Sequence, residues 1–277
     1  TSNAETPAAG DWYGIPVSDN GSEVFLQYCR VEYNTYGLTL SGSGSTSNGT
    51  AQDTVLVEHS LFLSCGSAVY KTSYLQYKQI CFNYNTFQGS GGYALYAENY
   101  VNDVRVTNNV IVDGIVRVYT YYSVADSVVV SNNNFTFTTA TTSGTAIYGN
   151  TTNSDDVVIV SNNTISGPIS YSNNSIRRGI QLNDGDNNQN YTSQYFITGN
   201  TINRMKNYGM YVQSSKNITI KNNNINYVGL QNWGGEYQDY SGMIVNQYYG
   251  GVVNIVGNTI DSSGSWGMWL YGISGAV

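Results

Sequence analysis

Two adjacent carboxylates, Asp155-Asp156, and a short basic pair, Arg204-Met205-Lys206, are the residues of this chain best placed for acid–base chemistry. The single histidine, His59, stands far upstream of both, directly after Glu58. Cleavage of a glycosidic bond needs two carboxylates facing each other at a defined separation. The 18 acids are spread along 277 residues, and no facing pair stands out among them. Residues 183–190, NDGDNNQN, come nearest to a calcium loop but lack the terminal Glu that supplies a bidentate ligand. They read as a solvated loop, Arg177-Arg178 as a charged turn, and Glu32, Glu58 and His59 as an ordinary surface ladder. Cys29, Cys65 and Cys81 lack metal-type spacing and cannot all pair within the chain, so Cys29 is expected to be a buried thiol. No catalytic residue, metal or cofactor is expected.

Composition narrows the class. Only 10% of residues are charged and the formal net charge is −7, which removes the basic footprint of a nucleic-acid binder. No apolar run is long enough to span a membrane. The chain begins at Thr1 with no visible signal peptide, which reads either as a processed protein or as one that keeps a tag remnant at Ser2-Asn3-Ala4. Abundant Asn, Ser, Thr, Tyr and Gly would suit a disordered chain, but regularly spaced Val and Ile supply a buried face.

Those apolar residues belong to a repeat. VVIVSNNTISG at 157–167 returns as YFITGNTINRM at 195–205, ITIKNNNINYVG at 218–229 and VNIVGNTIDSSG at 253–264. Aligned on the Asn, the phrase is apolar-x-apolar-x-x-Asn-x-apolar. It recurs nine times, with Cys29, Ser60, Asn85, Asn109, Asn133, Asn163, Asn200, Asn223 and Asn258 in the Asn column. The column spacings run from 23 to 37 residues, a constant rung with variable loops. A second phrase lies between: GIPV at 14–17, GLTL at 37–40, GIQL at 179–182, GMYV at 209–212, GMIV at 242–245 and GMWL at 267–270. Weaker versions are SAVY at 67–70, YALY at 93–96, IVRV at 115–118 and TAIY at 145–148. Both phrases alternate with period two, so both are strands with one face inward.

Strands that stack on their own copies form parallel sheets, and the chain winds as a coil. The fold expected is all-β, a single parallel β-helix of about nine to ten rungs without obvious caps. It spans 12–271, with a flexible segment at 1–11 and a tail at 272–277. The Asn column, Asn85, Asn109, Asn133, Asn163, Asn200, Asn223 and Asn258, is expected to be a structural ladder at a tight corner. Asn tolerates left-handed backbone there, and its side chain can bond along the column. Asp156 aligns with Asp53, Asp103, Asp126 and Asn217 just before the first strand of a rung, which makes it a turn residue rather than a catalyst.

The repeated NNTI and GNTI phrases resemble the right-handed parallel β-helix repeats of pectate-lyase-like and NosD-like proteins, and GDWYGI at 10–15 resembles the opening rung of bacterial surface β-helices. The resemblance covers nearly the whole chain. It implies the fold and its right hand, in line with the crossover preference of parallel strands, but little about function. A polygalacturonase-like site resembles N-x-D, D-D, G-H-G and R-x-K in order. Asp155-Asp156 and Arg204-Met205-Lys206 match two of these, but no G-H-G follows.

Tyr70, Tyr96, Tyr119, Tyr148, Tyr211 and Tyr271 lie at or beside second-phrase positions. An outward aromatic ladder could stack sugar rings or pack on a neighbour, or simply stiffen the sheet. Acceptor sequons for N-glycosylation occur at Asn20, Asn48, Asn134, Asn150, Asn162, Asn173, Asn190 and Asn217, no more often than chance predicts. The coil starts and stops in the same phase with no capping pattern, and bare ends can join head to tail. The expectation is therefore an extracellular or cell-surface structural protein. Its partner is itself, through Trp12, Ile15 and Val17 against Trp266, Met268, Trp269 and Leu270. The alternative is a β-helix that binds or degrades carbohydrate, with glycans as partners.

Overall fold

A computed structural model of the protein describes residues 6–8, 10–17, 23–41, 53–72, 77–120, 127–138, 144–151, 157–169, 176–184, 194–214, 217–230, 240–247 and 251–273. They form a right-handed parallel β-helix of about nine rungs, with strands and no helix. Three parallel ladders run along the coil. Ladder A holds the nine strands from Val24–Gln27 to Val253–Val256, each paired with its copy one rung away. Ladder B runs from Arg30–Glu32 to Thr259–Ser263. Ladder C runs from Ile15–Val17 to Met268–Tyr271. In the early rungs, Leu61–Lys71 and Thr86–Glu98 pass from B to C as single long strands.

Alternation decides which side chains enter the coil. In ladder A, Val57, Phe82, Val106, Val130, Val160, Ile197 and Ile220 stack inward and are fully buried. Phe62, Phe87, Ile111, Phe135, Ile165, Ile202 and Ile225 do the same in ladder B. Each such side chain contributes about 1.5–3 kcal/mol by leaving water. The opening phrase is tied in the same way. Trp12 donates its Nε1–H to the Glu32 carbonyl at 2.6 Å. Gly14, at φ 123°, lies so close to the Tyr36 carbonyl that a Cβ would sit 1.4 Å from its oxygen.

The corner between A and B is held by the Asn column. Asn163 Oδ1 accepts the backbone N–H of Asn133 at 3.0 Å and its Nδ2–H at 2.9 Å. Asn163 Nδ2 donates to the Val130 carbonyl and to Asn200 Oδ1, both at 2.9 Å. The same links join Asn109, Asn133, Asn163, Asn200, Asn223 and Asn258. Asn85 hands on to Asn109 through its backbone N–H, and Ser60 does so to Asn85. Ser60 Oγ accepts from Cys29 N–H at 3.1 Å.

The left-handed backbone falls one residue before the ladder, not on it. Tyr28, His59, Tyr84, Asn108, Asn132, Asn162, Gly199, Asn222 and Gly257 all have φ between 49° and 66°. The ladder residue is thereby freed to turn its amide inward. The cysteines also differ from expectation. Cys65 and Cys81 are buried, while Cys29, on the first rung, is half-buried.

One inward position breaks the apolar pattern. Lys71 sits between Leu40 and Ala97 in ladder C and is fully buried. Its Nζ donates to the carbonyls of Glu98 and Asn99, both at 2.7 Å. Burial pulls its pKa from the ordinary 10.5 down to about 7, against the opposing pull of the Glu98 charge. Between those values the unfolded chain holds a proton that the folded one has lost, so stability rises with pH across that window.

Two measurements check these arrangements. Asn163→Ala, which strands several buried polar groups, is expected to lower stability by about 2–3 kcal/mol in denaturant unfolding. Asn258→Ala, on the half-exposed last rung, should cost less; equal losses would contradict the ladder's role. Raising the pH from 7 to 9 should stabilise the protein by on the order of 2 kcal/mol, and Lys71→Met should remove that rise. An unchanged pH slope in the variant would refute the assignment.

Candidate binding face on ladder C

The outward side of ladder C carries a run of tyrosines with arginines among them. In register from rung to rung stand Thr39, Tyr70, Tyr96, Arg117, Tyr148, Gln181 and Tyr211. A second outward column, two residues further along each strand, holds Glu98, Tyr119, Asn150, Asn183 and Gln213. Pleating sends both columns outward because the residues between them, such as Val118 and Leu182, point into the core.

The rings touch in a continuous run. Tyr36 stacks on Tyr70 at 4.4 Å and Tyr70 on Tyr96 at 5.0 Å between centroids. Tyr13 meets Tyr36 edge-on at 5.4 Å, and Tyr93 meets Tyr96 edge-on at 4.9 Å. The Arg117 guanidinium lies 4.7 Å from the Tyr119 centroid, 5.0 Å from Tyr148 and 6.0 Å from Tyr96. Each such cation–ring contact is worth about 0.5–2 kcal/mol, more as water is excluded. Tyr96 donates its O–H to Glu98 Oε2 at 2.9 Å. Burial raises the Tyr96 hydroxyl pKa well above its ordinary range, and the bond to Glu98 and its charge add to the rise. Tyr70 is shifted the same way, by burial and then by Tyr36.

A second cationic group continues the face. The Arg178 guanidinium lies 5.1 Å from the Tyr208 ring, and its Nη1 donates to Gln181 Oε1 at 2.9 Å. Tyr208 O–H and Thr145 Oγ1 share the same acceptor, each at 3.3 Å. Arg177 is exposed beside it, and Arg204 and Lys206 lie one rung on. Burial lowers the Lys206 pKa, and the Arg177 charge lowers it further. Beyond Tyr211 the face closes, since Ile244 and Asn246 are buried.

Of the aromatic positions read from the sequence, the structure brings Tyr70, Tyr96, Tyr119 and Tyr148 into contact. Tyr211 packs on Tyr208, and Tyr271 on Trp269 at the last rung. Arg117, Tyr208 and Gln181 were missed, and Arg178, read as part of a charged turn, stands on the face instead. The signal was present but out of frame. YALY begins level with IVRV, Tyr93 beside Ile115, but the register shifts between Ile115 and Val116, so the final Tyr of SAVY, YALY and TAIY and the third residue of IVRV, Arg117, share one column.

Other candidate residues lie elsewhere. Asp155, Asp156 and Asp126 are outside the described residues, as are positions 185–190 of the acidic loop. Glu32 pairs with Arg30, and Glu58 takes the amides of Gln27 and Asn83, both at 3.3 Å. Among the described residues no three His, Cys, Asp or Glu side chains cluster as metal ligands, and no helix is long and apolar enough to cross a membrane. Of the sequons, Asn134, Asn162 and Asn217 are exposed, and Asn150 is half-buried on the outward side of ladder C. Asn20, Asn48, Asn173 and Asn190 lie outside the described residues. At the coil ends Ile15, Trp266, Met268 and Leu270 are exposed, while Trp12, Val17 and Trp269 are half-buried. Compared with known protein families, curated proteins and solved structures, the chain matches none of them.

Proposed function

We propose that the protein binds glycans along ladder C, as an extracellular β-helix of the pectate-lyase-like and NosD-like kind. The observation that carries this reading is the half-buried tyrosine run from Tyr36 to Tyr148, with Arg117 lodged among its rings. Aromatic rings offer a flat apolar surface to the C–H face of a sugar, and their hydroxyls a polar rim. Arg117 and Arg178 stand on this face and Arg177 is exposed beside it, three of the chain's eleven basic residues. In a chain of net charge −7 that concentration favours an acidic glycan, whose carboxylates an arginine can bind through paired N–H groups. Binding rather than cleavage is the activity proposed. In affinity electrophoresis, polyuronate in the gel should retard the protein, and salt should weaken the effect. Arg117→Ala and Tyr148→Ala should each weaken binding about tenfold, a loss near 1.4 kcal/mol. A wild type that migrates alike with and without polyuronate would end this reading.

A second reading, head-to-tail association into a filament, has its own observation. Ile15 is 37% exposed on the first rung of ladder C, and Met268 and Leu270 are 37% and 38% exposed on the last, although their columns are buried in between. Pairing these rungs would bury that surface and complete the strand edges. Electron microscopy should then show fibres for the wild type and short rods for Leu270→Lys, with unchanged circular dichroism. Monodisperse wild-type rods over a wide concentration range would exclude the filament.

A further inference from the structure

The left-handed column at the A–B corner has two chemistries. In six of its nine rungs the residue is Asn or Gly, the types that adopt this backbone most readily. In the first three rungs it is Tyr28, His59 and Tyr84, with φ of 55°, 49° and 55°. Their rings form a near-parallel stack. Tyr28 and His59 lie 5.1 Å apart between centroids and 4° from coplanar; His59 and Tyr84 lie 5.1 Å apart and 7° from coplanar. All three are exposed, Tyr28 at 79% and Tyr84 at 55%. They fill no part of the core, and Asn or Gly would serve the corner with less strain. Strained backbone carrying exposed rings points to a use outside folding.

The neighbours of the stack suit one kind of ligand. Each ring is preceded by an outward polar residue of ladder A: Gln27 before Tyr28, Glu58 before His59 and Asn83 before Tyr84. Gln27 and Asn83 both donate to the Glu58 carboxylate, and Asn83 Oδ1 accepts from Thr107 Oγ1 at 2.8 Å. These bonds hold a strip of amide, carboxylate and hydroxyl groups beside the rings. On the ladder B side, Arg30 and Glu32 pair with each other. Glu58 has no ionic partner among the described residues and disfavours an anion, while Arg105, exposed two residues before Thr107 on the same side of ladder A, offsets its charge. His59 covers one face of each tyrosine. The far face of Tyr84 meets no ring among the described residues, because the next residue of the column is Asn108.

We propose that this corner is a second ligand site, for a neutral hydroxylated ring of the pyranose class. The ring lies on the far face of Tyr84, above Asn108, and its hydroxyls meet Asn83, Thr107 and Asn108. The site is separate from the acidic-glycan reading of ladder C, since the A–B corner is the one corner of the coil that ladder C does not form. It rests on different residues and takes a ligand of different charge.

His59 is the only histidine, so the full chain carries a single imidazole Hε1 signal in proton NMR. The probes are neutral hexasaccharides of glucose, mannose and xylose, with sorbitol as the acyclic control. At least one hexasaccharide should shift the His59 signal saturably, and sorbitol should not. Tyr84→Asn installs the residue that other rungs use at this position, so the fold should survive, with an unchanged or higher melting temperature. It should weaken the saturable response at least tenfold. Arg117→Ala should leave the response intact while weakening polyuronate binding. No saturable shift with any of the three sugars would overturn the proposal. So would a response that persists in Tyr84→Asn, or one that sorbitol equals.

Discussion

A column of stacked asparagines sets the terms for this coil. A buried side-chain amide has two N–H donors and two acceptor sites on its oxygen, and all four must be satisfied. Asn133, Asn163 and Asn200 use every one. Each oxygen takes the backbone N–H and the amide N–H of the asparagine before it, and each nitrogen reaches one carbonyl behind and one amide oxygen ahead. Such saturation is met when consecutive rungs keep the same register and rise. A slip by one residue would turn the inward side chains outward and leave the amides unpaired. The apolar columns supply most of the driving force, and the amide column selects the single register in which they stack.

That register carries the corner's geometry to the rest of the surface. Because ladders A, B and C advance together, outward residues on successive rungs are brought into line without contacts of their own to align them. Tyr70, Tyr96, Arg117 and Tyr148 are far apart in sequence yet adjacent in one column. Polar groups inside the coil are tolerated on the same terms. Thr151 meets Tyr195 across the interior, hydroxyl to hydroxyl at 2.6 Å, and Lys71 is accepted where two carbonyls receive its Nζ–H groups.

The sequence carried the coil plainly because its signal is a repeat. The nine rungs, seven of them with Asn in the column and all with an apolar residue two positions on, are legible from periodicity alone. Side-chain direction at a corner has no period, so the left-handed site was placed on the ladder Asn itself when it belongs to the residue before, as Asn162 before Asn163 shows. The aromatic face was half legible. Tyrosines could be counted, but Arg117 stayed hidden because a register shift between Ile115 and Val116, which the phrase itself does not show, moves it into the tyrosine column. Tyr28, His59 and Tyr84 looked unrelated in sequence, since a stack depends on which corner each rung presents. What occupies a binding face is set by ring spacing and charge in three dimensions, and no motif of the chain encodes it.

The constant rise of the coil has a consequence for how such a chain can change over generations. The spacing between consecutive ladder residues varies from 23 to 37, yet each interval advances the axis by a single rung. Insertions and deletions between strands therefore leave the axial position of every later residue untouched. Length along the chain and length along the rod are uncoupled. Selection can lengthen, shorten or rewrite the connecting segments while the spacing of the outward columns is inherited intact, which makes this architecture a ruler whose markings outlast changes in its decoration.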